Sequence, residues 1–284
     1  RTVFLMSSHV TLLHRTCYRY DRPVAMGLQT IRLRPMQASR TPIESYGLHI
    51  RPEGCDLRWE RDPCGNDVAC VGFADRLTHF DIEVSLVADM TEYDPLLQAL
   101  ADDAHEDTAL AEYQGQPECA PEVMEFLAHY PEGAAGDLLG DMMALNRAIA
   151  KRVTYQRRLE PGIWTPEETL RNGAGSCRDS AWLLVNMARY RGHAARFVSG
   201  YLIQSASTSD GEEVLTGDLH AWAQIFIPER GWMGFDTTSG LLACEGHIPL
   251  AVAARPENAA PVSGLLDCCK ATFDVSMQVK RLFT

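Results

Sequence analysis

Apolar and polar residues alternate through Ile31-Arg32-Leu33-Arg34 and again through Asp81-Ile82-Glu83-Val84-Ser85-Leu86-Val87. A period of two is the mark of a strand with one buried face. Asp21-Arg22-Pro23, Arg40-Thr41-Pro42 and Asp62-Pro63-Cys64-Gly65-Asn66-Asp67 break these runs with turn chemistry. Helical periodicity is nearly absent, so residues 1–90 are expected to form a β-rich domain, a small sandwich or an open barrel. Residues 91–135 are acidic and rich in alanine and proline, and read as a linker containing some helix. Within it, Ala101-Asp102-Asp103-Ala104-His105-Glu106-Asp107 is expected to be a solvated acidic stretch and not a metal site. Pro121 to Tyr130 is expected as one helix, with Pro121 in its first turn.

From residue 136 the period changes. Leu138, Met142, Leu145 and Ile149 recur at helical spacing and predict a helix over Leu138 to Val153, its apolar stripe packed in the core. A second helix is expected to start after Ser176 and to end at Gly192. Arg196 to Ile203, Ala221 to Ile227 and Trp232 to Asp236 read as strands, the last two joined by the turn Pro228-Glu229-Arg230-Gly231. Helices followed by a largely antiparallel sheet indicate an α+β core over 136–284, with a C-terminal extension.

The 284 residues allow one large domain or two modest ones, and 46% hydrophobic with 23% charged residues is ordinary for a globular protein. A net charge of −12 disfavours a nucleic-acid partner, since duplex affinity comes largely from Lys and Arg on phosphates. No segment is long and apolar enough to suggest a membrane span. The opening residues lack the length of a signal sequence's apolar region, and the chain does not begin with Met. Nine irregularly spaced cysteines without a Cys-x-x-Cys pair predict no zinc site, no cofactor and a reducing cytoplasm. The vicinal Cys268-Cys269 is expected to be two ordinary thiols.

The chemistry concentrates around Gly173-Ala174-Gly175-Ser176-Cys177-Arg178-Asp179. A glycine-rich turn, a cap and an apolar helix place Cys177 where backbone N–H groups and the positive end of the helix dipole stabilise thiolate over thiol. Asp179 occupies the reciprocal capping position of Ser176. Downstream, a three-residue hairpin loop would pair Ile227 with Gly231, setting Asp236 opposite Trp222 and diagonal to His220 on the same face. A loop one residue longer or shorter would turn Asp236 away. Nucleophile, base and orienting carboxylate are therefore expected to be Cys177, His220 and Asp236. The Cys177 N–H and either Tyr155 or Trp164 are candidate oxyanion donors, and Trp222 is a candidate substrate-binding residue. Taken singly, a cysteine is usually a small buried hydrophobe, a histidine a structural hydrogen-bonder and an aspartate a turn residue. Arg178 and Asp179 read as capping or ion-pair residues. His193, Cys244 and His247 read as structural, with His247 able to line a cleft.

With Gly-Ser-Cys177-Arg-Asp, Arg196-Phe197-Val198-Ser199-Gly200-Tyr201-Leu202, Leu219-His220-Ala221-Trp222, Gly231-Trp232-Met233-Gly234-Phe235-Asp236-Thr237-Thr238-Ser239-Gly240 and Gly246-His247-Ile248-Pro249-Leu250-Ala251, the chain resembles the bacterial transglutaminase-like superfamily. Many members of that group are described as cysteine proteases. Tyr18-Arg19-Tyr20-Asp21-Arg22-Pro23-Val24, Arg32-Leu33-Arg34-Pro35 and Asp62-Pro63-Cys64-Gly65-Asn66 resemble the β-rich domain that precedes the core in this group. The resemblance implies a papain-like Cys-His-Asp core whose members fall on Cys177, His220 and Asp236. The acidic insert near 101–119 departs from the family pattern, and some relatives continue well past the core. The expected activity is thiol-dependent hydrolysis of a peptide, isopeptide or related amide through a thioester. An amide-forming acyltransferase is the alternative, and a non-catalytic binding module a more distant one. The implied partner is a peptide or protein amide, without nucleic acid or membrane. Calcium dependence has no basis in an EF-hand-like loop. The oligomeric state is left open.

Overall fold

The computed structural model describes residues 8–97, 107–115, 119–158, 160–207, 211–228 and 230–282. The front part consists of six strands: β1 (His9–Val24), β2 (Met26–Ile31), β3 (Ile43–Arg51), β4 (Asp56–Arg61), β5 (Asp67–Gly72) and β6 (Leu77–Asp89). β6 covers the alternating run 81–87 and buries Ile82, Val84 and Leu86. The other run ends early. β2 stops at Ile31, and the next residues turn toward the core through Arg32 N–H to Pro261 O and Met36 N–H to Pro249 O, although Leu33 stays buried.

Helices α1 (Asp107–Tyr113), α2 (Pro121–Ala128) and α3 (Leu138–Arg152) follow. Most of the acidic stretch, 101–106, lies outside the described residues. α3 buries Met142, Leu145 and Ile149, the stripe read from the sequence. After it come β7 (Thr154–Tyr155), α4 (Pro166–Asn172), β8 (Ala174–Gly175) and α5 (Cys177–Tyr190). The core sheet is built from β9 (Ala195–Ser207), β10 (Glu213–Ile227), β11 (Gly231–Asp236), β12 (Leu241–Leu242) and β13 (His247–Ala253), in the order β12-β11-β10-β9-β13. The inward faces of α3 and α5 share one apolar cluster with Ala223, Ile225, Met233 and Phe235 of this sheet. The architecture is α+β: a β domain ahead of a helix-backed antiparallel core.

The C-terminal segment is not an extension of the core. β14 (Val262–Leu266) and β15 (Ala271–Arg281) return to the front of the molecule, giving sheets ordered β14-β2-β5-β4 and β15-β1-β6-β3. β15 runs antiparallel along β1 from Tyr20↔Ala271 to Val10↔Arg281. The front domain is thus completed by residues more than 230 positions downstream of their partners. One apolar cluster spans both its sheets and continues into Tyr201 and Ile203 of β9 and Ile248 and Leu250 of β13, so the two units share a core. β13 is the edge of the core sheet, and the Asp62–Asn66 turn covers it. There Asn66 donates to Val252 O and accepts from Val252 N–H, both at 2.8 Å, in place of a neighbouring strand. Among the described residues, no helix is long and apolar enough to cross a membrane.

A polar pin crosses the shared core. His14, on the inward face of β1, meets the Tyr201 hydroxyl through Nδ1 and the Thr16 hydroxyl through Nε2, each at 2.9 Å. His14 is 1% and Tyr201 0% exposed. Burial lowers the His14 pKa from 6.5 to about 4, so the unfolded chain takes up the proton first. Stability from this site is present above pH 6.5 and is lost as pH falls toward 4, by about 2–3 kcal/mol near pH 4.5. Urea unfolding of wild type and His14→Gln at pH 7.5 and pH 4.5 checks this. The wild type is expected to lose stability more steeply than the variant; parallel losses would show that the buried ring titrates normally.

Candidate active site

The turn that presents Cys177 is held by one buried carboxylate. α4 starts with a capping box between Thr165 and Glu168 and ends at Gly173, whose φ of 61° is the left-handed value glycine tolerates. β8 then pairs with β7 in parallel, Tyr155 beside Gly175. Ser176 caps α5. The Asp179 carboxylate, 0% exposed, accepts the Ser176 N–H at 2.8 Å and the Ser176 O–H at 2.7 Å. It also accepts the Trp164 N–H at 2.8 Å and takes Arg158 on both oxygens at 2.8 Å. Burial opposes the charge on Asp179, but these donors outweigh it and hold the carboxyl below its ordinary range. Cys177 is the first residue of α5, where backbone N–H groups have no acceptor within the helix.

The hairpin has the register expected from its loop length: Ile227 pairs with Gly231 and Ala223 with Phe235. Asp236 therefore emerges on the side of His220. His220 does not open its strand; it lies inside β10, opposite Gly200 of β9. A Cβ on Gly200 would sit 2.3 Å from the Trp222 ring and 2.4 Å from Ile248 O, so only glycine leaves space for the indole beneath the imidazole. His220 Nε2 meets Asp236 Oδ1 at 3.1 Å, and the Cys177 side chain lies close enough to the imidazole to act on its pKa. With Nε2 committed to Asp236, Nδ1 is the nitrogen left for sulfur. Burial disfavours charge on His220, but the bond to Asp236 and the nearby Cys177 prevail and push its pKa up. Burial likewise works against the Asp236 carboxylate, and the bonds from His220 and His247 reverse it, holding the group far below the usual range. Cys177 and His220 are each 9% exposed, and Asp236 2%. The three residues brought together by the fold are those singled out in the sequence.

Of the two oxyanion candidates, Tyr155 is 50% exposed and lies close enough to Cys177 and Asp218 for both to raise its pKa, after burial. Its hydroxyl remains a donor at neutral pH. The backbone N–H of Trp164 serves Asp179, and its ring covers the Arg158 guanidinium at 4.1 Å. Trp222 offers a substrate no surface. It is 1% exposed, stacked near His220 at 6.3 Å and edge-on to His247 at 5.2 Å, so it packs the imidazoles from below.

Four further residues belong to the site: Arg158, Ser180 and Thr237, which the sequence reading did not single out, and His247, which it read as structural but able to line a cleft. Arg158 neutralises Asp179. Thr237, next to Asp236, lies 2.9 Å from the Ser180 hydroxyl of α5 and ties the end of β11 to the helix that starts at Cys177. His247 Nε2 lies 3.2 Å from the second oxygen of Asp236. The Gly246-His247-Ile248 run stands out in the sequence, but neither period nor spacing points its ring at Asp236. His220, Asp236 and His247 also form the one set of side chains, among the described residues, whose donor atoms cluster within 4.8 Å as a metal would require. The surroundings oppose that use. His247 Nδ1 accepts the Cys244 N–H at 3.3 Å, which leaves the proton on Nε2, whereas a ligating imidazole normally donates from its other nitrogen.

Comparison with known proteins agrees with this layout. Residues 10–89 match the bacterial transglutaminase-like N-terminal region, and residues 127–237 match the transglutaminase-like superfamily. An uncharacterized protein of Mycobacterium leprae is 24% identical over 95% of this chain and 98% of its own length. An uncharacterized Mycobacterium tuberculosis protein is 24% identical over 94% of this chain and 90% of its own. In three dimensions the chain is similar to a candidate cysteine protease from Cytophaga hutchinsonii, with a TM-score of 0.72 and 16% identity over 97% of this chain and 91% of the other.

The Asp179 clamp carries a stability prediction. Asp179→Ala leaves Arg158, whose side chain is 10% exposed, without its counter-charge, and is expected to cost about 3–5 kcal/mol. Denaturant unfolding measures this; a loss under about 1 kcal/mol would mean that other contacts hold the turn.

Proposed function

Because the chain belongs to the transglutaminase-like superfamily, whose shared chemistry is thiol-dependent acyl transfer, we propose that it is a cysteine hydrolase of a peptide, isopeptide or related amide. The observation that carries this reading is the convergence at the N-terminus of α5 of Cys177 with His220, whose Nε2 is bonded to Asp236 at 3.1 Å.

The steps follow from the geometry. His220 Nδ1 takes the Cys177 proton, and the resulting imidazolium is held by Asp236 through Nε2. The thiolate adds to the carbonyl carbon. The oxyanion so formed is met by the Cys177 N–H and, in this reading, by the Tyr155 hydroxyl. His220 returns its proton to the leaving amine as the C–N bond breaks, leaving a thioester on Cys177. Water, deprotonated by His220, then releases the acid and regenerates the thiol. The same thioester would yield a new amide if an amine arrived before water. Tyr155, beside the buried Cys177, is half exposed, and access of water to the thioester from that side favours hydrolysis. All nine cysteines are free, in keeping with a reducing, cytoplasmic setting.

Cys177→Ala is expected to abolish turnover of a peptide-amide panel while leaving the unfolding midpoint unchanged. Full activity in that variant removes the nucleophile. Asp236→Asn, which removes the counter-charge and offers an amide that can select the wrong imidazole tautomer, is expected to lower kcat by roughly 10³–10⁴-fold; an unaffected rate would take Asp236 out of the mechanism. In the wild type at pH 7, iodoacetamide should label Cys177 before the exposed Cys268. Peptide mapping after brief exposure decides it, and faster labelling of Cys268 would show that the site does not activate its thiol.

A further inference from the structure

Asp236 and His247 are the two ends of one loop. The chain leaves β11 at Asp236, folds back over residues 237–246, where β12 pairs Leu241 with Asp236 and Leu242 with Phe235, and enters β13 at His247. The loop is shaped by its own bonds: Gly240 N–H to Asp236 O, Ala243 N–H to Gly234 O, and His247 N–H to Cys244 O. Asn146 of α3 fixes its middle by donating to Leu241 O at 2.9 Å. Its ends are closed by the 3.2 Å contact between His247 Nε2 and Asp236 Oδ2. The match to the transglutaminase-like core stops at residue 237, short of this histidine.

The ring has one available role in this setting. The Cys244 N–H points at Nδ1 from 3.3 Å, so that nitrogen is an acceptor and the neutral ring carries its proton on Nε2. That proton faces Oδ2. Oδ1 already receives His220 Nε2 at 3.1 Å and the Thr238 N–H at 2.9 Å. The side chains of His220 and His247 are each 7% exposed and that of Asp236 is 3% exposed, so water is a poor substitute for a missing donor. Without His247, Oδ2 would be a buried, unpaired half of a charge, and the carboxylate would be free to rotate away from His220.

We propose that His247 is a positioning residue of this active site, its Nε2–H fixing Oδ2 of Asp236 so that Oδ1 stays on His220. This rests on the catalytic reading of Cys177, His220 and Asp236. It extends the relay by one member: His247 orients the carboxylate, the carboxylate orients and charges the imidazole, and the imidazole serves the thiol. The sulfur His247 meets is that of Cys244, at 4.0 Å, and not that of Cys177. The other titratable groups around this pair are Cys177 from α5, facing His220, and Cys244 and Glu245 of the loop. Burial raises the Cys244 thiol, which keeps it neutral near pH 7.

The test compares two variants of similar volume. His247→Gln keeps an N–H for Oδ2 and an oxygen for the Cys244 N–H; His247→Leu fills the space with neither. The rate of Cys177 alkylation by iodoacetamide, followed from pH 4 to 10 by peptide mapping, reads the thiol–imidazole pair without needing a substrate. In the wild type and His247→Gln, reactivity is expected to persist to low pH. In His247→Leu its acid limb should move up by about one unit, equivalent to about tenfold slower labelling at pH values below both limbs. A purely structural role would leave that limb in place. Coincident profiles for wild type and His247→Leu, or a Gln variant no closer to wild type than Leu, would overturn the inference. Should His247→Leu not fold, long-range ¹H–¹⁵N spectra of the wild type decide the matter. An Nε2–H tautomer at His247 supports the proposal and an Nδ1–H tautomer refutes it. A wild type with no low-pH reactivity at Cys177, while its His247 shows the Nε2–H tautomer, would mark failure of the catalytic reading itself and not of the loop geometry.

Discussion

A buried carboxylate must be surrounded by donors, and the site is organised by satisfying one. Asp236 is 2% exposed and takes hydrogen bonds from His220, His247 and the Thr238 N–H. Each donor comes from a different stretch of chain, so the demands of one charge join β10, the loop after β11 and the start of β13. The desolvation cost of such a group is large when it is unpaired. The same cost enforces geometry here, because an arrangement lacking either imidazole leaves a lone pair stranded. The raised pKa of His220 and the depressed one of Asp236 are two views of this single balance. Asp179 repeats the device at the nucleophile: a fully buried carboxylate collects Arg158, Ser176 and Trp164 and thereby shapes the turn before Cys177.

The β domain belongs to the same construction. β13 carries His247 at its start and Val252 further on, and its outer edge is covered by Asn66 from the Asp62–Asn66 turn. Cys64 of that turn packs beside the cluster that contains Cys177, Phe197 and Ala221. His14 and Tyr201 link β1 to β9 across the shared core. The front domain thus braces the core sheet at its edge, and the C-terminal strands β14 and β15 in turn complete the front domain.

How much of this was legible depended on the range of the interaction. Cys177 was readable because a glycine-rich turn, a cap and an apolar helix are all local. The position of Asp236 followed from counting: with Ile227 paired to Gly231, the period of the strand leaves no choice of face. His247 could not be placed so, because a ten-residue loop with a left-handed Gly240 and an anchor on Asn146 carries no period to count along. Arg158 sits in irregular chain and is recognisable only through the buried charge it meets. The alternation of β15 was present in Val275, Met277 and Val279, but nothing local names a partner 260 residues upstream. Trp222 shows the opposite error. An aromatic beside a reactive histidine suggests a substrate platform, whereas Gly200 lets it sink below the imidazoles.

The central claim is that Cys177, served by His220 and Asp236, carries an acyl group. Intact-mass analysis after mixing with a panel of amides at low temperature and acid quench tests it most directly. The account predicts a mass gain equal to one acyl group on Cys177 in the wild type, lost on adding hydroxylamine and absent from Cys177→Ala. An adduct that survives in Cys177→Ala, or a panel that is turned over with no sulfur-linked intermediate ever detected, would contradict it.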